Sequence, residues 1–217
     1  MVNKFIYICS INFKNRLKMK LFNVIAIATV TGALVSFQYG KSIKKDEVVK
    51  YQLEKTASTL TWKGGKNAEY FHSGVVEFSE GTLEMNNGNV ANGSFTVDLA
   101  TIKVTDAGLP DGKKDYLAGH LKNEDFFNVA KYAIAKVTLG EYKDGKLATT
   151  INLLGVDVKQ NVPVTIKKTE KGANISGKFD VDFTPANIPG TIKKEGDTES
   201  ISPIFSFDLN LNVKAKK

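Results

Sequence analysis

The chain has 217 residues, of which 30 are Lys or Arg and 23 are Asp or Glu, for a formal charge of +7. Lys4, Lys14, Arg16, Lys18 and Lys20 precede residue 37 with no acid among them, so the rest of the chain holds 25 basic against 23 acidic residues, a near-neutral +2 without the footprint of a polyanion binder. Arg16 is the only arginine and Cys9 the only cysteine, which leaves the sequence after residue 36 with no guanidinium fork, disulfide, thiolate nucleophile or cysteine metal site.

In chain order, Met19 and Lys20 open an apolar run from Leu21 to Val35, with small residues at Ala33 and Ser36 as cleavage points. That is the pattern of a secretory signal, and its apolar run is short of the roughly 20 residues that span a bilayer. The expectation is a signal peptide over residues 1–36, with residues 1–18 an upstream extension from an early start codon. Cleavage then leaves a periplasmic or secreted protein. No cysteine follows the run, so lipoprotein attachment is not expected. Residues 37–49 form a polar lead-in to a domain over residues 50–217.

Within that domain apolar residues fall on alternate positions. Leu60 and Trp62 share one face; so do Phe95, Val97 and Leu99; so do Leu147, Ile151 and Leu153; and so do Val162, Val164 and Ile166. Ile175, Phe179, Val181 and Phe183 follow, then Phe205, Phe207, Leu209, Leu211 and Val213. Period two over so many segments predicts half-buried antiparallel strands. Asn87-Gly88, Asp144-Gly145 and Lys171-Gly172 separate such segments and supply residues that tolerate positive φ, so adjacent strands are predicted to be hairpins. A set of strands each with one apolar face must close into a barrel or stack as a sandwich.

Between Thr105 and Tyr132 the alternation stops. Tyr116, Leu117, Leu121 and Phe127 are spaced as in a helix, which predicts a short helical segment near residues 113–128 that crosses or plugs one end of the barrel. Asn123, before Glu124 and Asp125, is the expected N-cap of a further turn.

Motifs for chemistry are lacking. His72 and His120 sit in no metal-ligand spacing, and each is expected to satisfy backbone groups where a strand or helix ends. Ser73 stands in no GxSxG elbow, and Gly64-Gly65-Lys66 is a turn rather than a phosphate loop. Neither a catalytic residue nor a metal or other cofactor is expected, and nucleic acid is not an expected partner. The aromatics fall at strand spacing instead of alternating with basic residues, as suits a core or a cavity lining.

The stretch Leu117 to Tyr132, LAGHLKNEDFFNVAKY, resembles the hallmark of the YceI-like family, in which H-L-x-x-x-D-F-F precedes a tyrosine and a new strand. Thr61-Trp62-Lys63, His72-Ser73-Gly74, Gly93 to Asp98, and Leu153 to Val156 followed by Val162-Pro163-Val164 extend the resemblance over roughly residues 50–213. The resemblance implies an all-β, eight-stranded antiparallel, lipocalin-like barrel that is not an enzyme. Its interior binds a polyisoprenoid or similar fatty amphiphile for transport or storage, as a monomer or homodimer that meets membranes only transiently. The ligand-lining residues expected are Trp62, Phe78, Phe95, Phe126, Tyr132, Phe179, Phe183, Phe205 and Phe207. The sequence departs from the family where Phe183 follows Asp182 in place of an arginine, and where Ala133 replaces a proline after the tyrosine. These departures favour a neutral, quinone-like head over a pyrophosphate. Two other readings stand beside the carrier: an envelope interaction module with a packed barrel and no ligand, and a hydrolase or isomerase using His72 or His120.

Overall fold

Among the described residues the domain has ten antiparallel strands and one α-helix: β1 (Val48–Leu53), β2 (Thr59–Gly65), β3 (Phe71–Asn86), β4 (Asn89–Val104), α1 (Asp111–Lys122), β5 (Ile134–Lys143), β6 (Lys146–Leu153), β7 (Val156–Pro163), β8 (Thr165–Lys168), β9 (Gly172–Asp182) and β10 (Ile204–Ala215). The computed structural model describes residues 47–67, 69–193 and 200–216; the expected signal peptide and most of the lead-in lie outside them.

The strand order is β7-β6-β5-β4-β3-β1-β10-β9-β8, with β2 also between β10 and β3. Eight staves were expected, and ten strands occupy eight places. β1 and β2 pair with the same neighbours and are one stave interrupted by the 3-10 turn Lys55–Ala57. β7 and β8 are one stave bent at Pro163 and Val164, and they stand at opposite ends of the strand order, so the bend is what closes the barrel.

The chemistry of that corner is local. Pro163 has no N–H to offer a ladder, so the strand ends there. The Val164 N–H turns back to the Gly145 carbonyl (3.0 Å), and its own carbonyl accepts from the Tyr142 hydroxyl (3.0 Å). β9 passes against the corner at Gly177, where a Cβ would meet the Pro163 carbonyl at 2.5 Å, so only glycine fits. Further along the seam the Gln160 amide donates to the Asp180 carbonyl.

Three hairpins turn through paired positive φ angles: Asn87 at 49° with Gly88 at 85°, Asp144 at 51° with Gly145 at 74°, and Leu154 at 52° with Gly155 at 81°. These are the angles that match the twist of the flanking strands. The first two were expected. Lys171 and Gly172 also join two strands, but without positive φ, since Gly172 is already the first residue of β9.

Strict alternation holds only in pieces. On β3, Val76 and Phe78 face inward; after a register shift between Phe78 and Glu80, Leu83 and Met85 do. Just past the shift, Gly81 pairs with Phe95 and leaves room for its ring, which a Cβ would strike. On β4 the same happens between Leu99 and Ile102, where Asp98 binds the Ala100 N–H (3.0 Å) and the Thr101 hydroxyl donates to the Asp98 carbonyl (2.6 Å). Such bulges bend the strands so that the sheet can curl shut.

The two ends of the barrel differ. At the end reached by the turns at 87–88 and 144–145, Leu83 (0 % exposed), Met85 (1 %) and Val213 (2 %) pack into a solid floor. The opposite end carries α1, the turns from Asn123 to Ala133, and the segment from Thr184 to Ile192 that buries Ala186 and Ile188.

Candidate functional site

Above the packed floor lies a cavity of about 150 Å³, reached by inward residues of nearly every strand and closed from the helix end by Leu121 of α1 and by Phe127. Its lining is apolar except for Thr149. That hydroxyl is itself committed, donating to the Leu147 carbonyl at 3.0 Å. The interior therefore offers no free polar group to orient a reaction, and apolar area is its whole chemistry.

Aromatic rings crowd the half of the cavity nearest α1. Phe183 lies 5.8 Å from Phe205 and 6.2 Å from Phe207, both edge to face; Phe179 stands 6.0 Å from Phe207; and Phe127 tilts against Phe205 at 6.2 Å. Deeper in, Phe78 meets Phe95 edge-on at 6.3 Å. Phe127, Phe179 and Phe207 are only half-buried although they point inward, because part of each faces the void.

Of the nine expected lining residues, Trp62, Phe78, Phe95, Phe179, Phe183, Phe205 and Phe207 line the cavity. Phe126 and Tyr132 do not. Phe126 is buried outside the cavity, edge-on to the His120 ring at 5.1 Å and beneath Gly190. Tyr132 is half-buried on the turn after α1, with the Lys131 ammonium 5.0 Å above its ring and Gly155 of the β6–β7 turn alongside. The residue that enters the cavity is Phe127, next to Phe126. In a stretch without periodicity, adjacent phenylalanines carry no signal of which one points in.

Nor does the helix follow the expected bounds. It runs from Asp111 to Lys122 and ends at Asn123, which closes its C-terminus and, as expected, caps the further turn that follows. The Asn123 carboxamide oxygen accepts from the Asp125 N–H (2.9 Å), and its carbonyl accepts from the Asn128 N–H (2.7 Å), giving a tight turn. Tyr116 is 74 % exposed and faces solvent, whereas Leu121 is buried. The turn expected at Gly64-Gly65-Lys66 begins one step later: both glycines belong to β2, and the Lys66 N–H closes on the Tyr70 carbonyl (2.9 Å).

The histidines take side-chain partners, not the backbone groups expected of them. His72 Nδ1 lies 2.7 Å from Asp106 Oδ2, while Asp106 Oδ1 accepts the Ser73 N–H (2.9 Å) and hydroxyl (2.6 Å). The aspartate stands between serine and histidine, so the imidazole has no contact through which to take the serine proton, as a nucleophilic triad requires. Burial opposes the charge on Asp106, but the Ser73 and His72 hydrogen bonds outweigh it and hold the carboxyl below its usual range. The effect is to tie the end of β4 to the start of β3. His120 reaches the Asn123 amide (3.2 Å) and lies 3.9 Å from Asp125. Among the described residues no group of three His, Cys, Asp or Glu side chains is placed to hold a metal ion.

A model of the YceI-like domain matches residues 51–213, three-quarters of the chain and all of the barrel but the outer ends of β1 and β10. The chain belongs to the YceI-like family. Two solved structures share the YceI-like barrel: a polyisoprenoid-binding domain from Saccharophagus degradans implicated in plant cell wall breakdown (16% identity, TM-score 0.56, covering 77% of this chain and 99% of that one), and BcnA from Burkholderia cenocepacia (15% identity, TM-score 0.57, covering 72% and 96%). At these identities the likeness establishes the fold. No curated protein matches the chain.

Where YceI-like relatives are expected to carry an arginine after the aspartate of the penultimate strand, Phe183 turns into the cavity and is 5 % exposed. Asp182 faces outward and receives the Thr184 hydroxyl (2.6 Å) and N–H (2.8 Å), which hold its carboxyl below the usual range. No charged residue lines the YceI-like cavity of this chain.

Proposed function

We propose that this chain is an exported, non-enzymatic carrier that holds the apolar tail of a polyisoprenoid or similar long amphiphile inside the barrel, with a neutral, quinone-like head. The observation that carries the reading is the cavity lining, apolar throughout but for an internally bonded threonine. Membership of the YceI-like family and the barrel shared with a polyisoprenoid-binding domain support it. The basic, apolar leader supports export to the periplasm or beyond.

Binding here is a matter of area. Burying one CH2 contributes about 0.8 kcal/mol, so a fully enclosed five-carbon unit contributes roughly 4 kcal/mol before the costs of ordering the chain. The cavity as it stands has the volume of one that admits a small aromatic. A longer tail must displace the half-buried rings of Phe127, Phe179 and Phe207, which already lack partners on one side. The tail therefore enters from the helix end and stops at the floor formed by Leu83 and Met85.

Native mass spectrometry and lipid extraction of protein purified from its own host test the proposal, with Leu209→Trp as the partner variant. Leu209 lines the cavity at mid-depth, and an indole there fills the void. A co-purifying amphiphile in the wild type that is lost in a folded Leu209→Trp protein is the expected result. A wild-type barrel that carries no lipid and takes up none from a polyprenyl quinone added in detergent would overturn it, and would favour the packed interaction module.

A further inference from the structure

Eight large hydrophobic side chains are exposed among the described residues, and seven of them sit at the helix end of the barrel; the exception is Val48, where the chain enters at the packed end. Scattered apolar residues on a surface are ordinary, but confinement to one end is not. The densest part is formed by Tyr70 (69 % exposed), Phe71 (39 %) and Ile204 (49 %). Phe71 pairs with Gly65 across β2 and β3, and the Gly65 carbonyl accepts the Ser202 N–H at 2.8 Å, so β10 begins beside the same glycine. Phe71 and Ile204 thus stand on the outer face on either side of a residue with no side chain, with Tyr70 at the tip of the turn.

The chemistry around them is that of a bilayer interface. The Lys63 ammonium lies 3.5 Å above the centre of the Phe71 ring, and Lys66 begins the turn that ends at Tyr70. A lysine over an exposed phenylalanine places an apolar body and a cationic head at one level, the arrangement that seats aromatics among acyl chains and lysines among phosphates, with Glu69 the exposed acid of the same turn. Tyr116 on α1 and Ile192 after the turn at 189–191 extend apolar exposure around the same rim. This rim also carries Leu121 and Phe127, which close the cavity.

We infer that the helix end docks on a lipid bilayer, with Tyr70, Phe71 and Ile204 entering the interface and Lys63 meeting lipid phosphates, so that the cavity is loaded directly from the membrane. The docking face rests on the carrier reading for what passes through it, but not for the contact itself. A protein partner covering the same rim is the competing outcome.

Hydroxyl-radical footprinting of the full chain, with and without vesicles of phosphatidylethanolamine and phosphatidylglycerol, reads the contact residue by residue. Vesicles are expected to reduce labelling of Tyr70 and Phe71 by roughly threefold or more while leaving Tyr142, towards the packed end, unchanged. Labelling of the rim that vesicles do not alter, or equal protection at both ends, would overturn the inference. As a second arm, the Tyr70→Ser, Phe71→Ser, Ile204→Ser triple variant is compared with Val48→Ser for uptake of a polyprenyl quinone, once from vesicles and once from detergent. Slower uptake from vesicles alone, by about tenfold and only in the triple variant, is expected. Equal rates for the triple variant and the wild type would count against docking. If the wild type takes up no quinone from either source, the carrier reading fails, and the footprint still decides whether the rim binds lipid.

Discussion

The packed end and the helix end of this barrel are made of the same residue types put to opposite uses. At the packed end, Leu83, Met85 and Val213 are almost wholly buried and line no part of the cavity. At the helix end, Phe127, Phe179 and Phe207 point inward just as firmly but keep part of their surface against a void. Strands supply the floor, and irregular chain supplies the cover. One end is filled by packing, and the other leaves an apolar interior partly empty.

The sharpest way to break this contrast is to truncate one residue on each side of it. Leu83→Ala leaves a cavity that its neighbours cannot fill and is expected to cost about 3–4 kcal/mol. Phe207→Ala enlarges a void already present and is expected to cost about half as much, because part of the ring has no packing to lose. Urea denaturation of the two variants measures both, and equal losses would show that the helix end is packed as tightly as the floor.

The next effect is at the seam. Gly177→Ala drives a methyl into the Pro163 carbonyl, and the corner must open or β9 must shift, at an expected cost of about 2 kcal/mol. Amide exchange should quicken along β8 and along the part of β9 that pairs with it, while β3 and β4, on the far side, keep their protection. Uniform quickening would mean that the seam is no weaker than the rest of the wall.

Legibility in the sequence follows the same division. β10 could be read residue by residue because Phe205 to Val213 keep one parity throughout. β3 could not, because the shift near Gly81 moves the inward set from Val76 and Phe78 to Leu83 and Met85. Bulges have no period, so alternation reports the wall but not its bends. The expected eight staves are there, yet Pro163 and the turn at Lys55–Ala57 cut two of them. At the helix end periodicity gives no guidance at all, and the consequence is visible in Phe126 and Phe127: composition marked an aromatic for the cavity, and only the turn geometry set by Asn123 decided which one. Likewise Asp106, which ties His72 and Ser73 together, is 33 and 34 residues distant from them and carries no local mark.

That cluster gives a smaller and pH-dependent test of the helix end. Asp106→Asn weakens hydrogen bonds to Ser73 and His72 and is expected to cost about 1–2 kcal/mol at pH 7. Because the folded carboxyl titrates below its usual range, its contribution is present above the ordinary aspartate value and is lost as the pH falls through the folded one. The gap between wild type and variant should therefore hold down to the ordinary aspartate value, narrow only below it, and close beneath the lowered folded one. Urea midpoints taken stepwise from pH 7 into the acid range measure this, and a gap that does not narrow at all below the ordinary aspartate value would assign the loss to shape instead of charge.

The smallest contrast lies in the turns. Asn87 at the packed end and Leu154 at the helix end adopt nearly the same left-handed backbone, φ 49° and 52°. Asparagine tolerates that conformation and leucine does not, by about 1 kcal/mol. Asn87 is exposed, and its side chain also accepts the Glu47 N–H at 3.1 Å, so Asn87→Leu has nothing to gain and is expected to cost about 1 kcal/mol or slightly more. Leu154 is half-buried against the core, and burying about half a leucine contributes a similar amount, so Leu154→Asn trades backbone relief against packing and should fall within about 0.5 kcal/mol of wild type. A clear loss on Leu154→Asn would mean that its side chain holds the β6–β7 turn against Tyr132 and the helix-end cover more firmly than half-burial implies. A clear gain would mean that the turn is strained for no packing return.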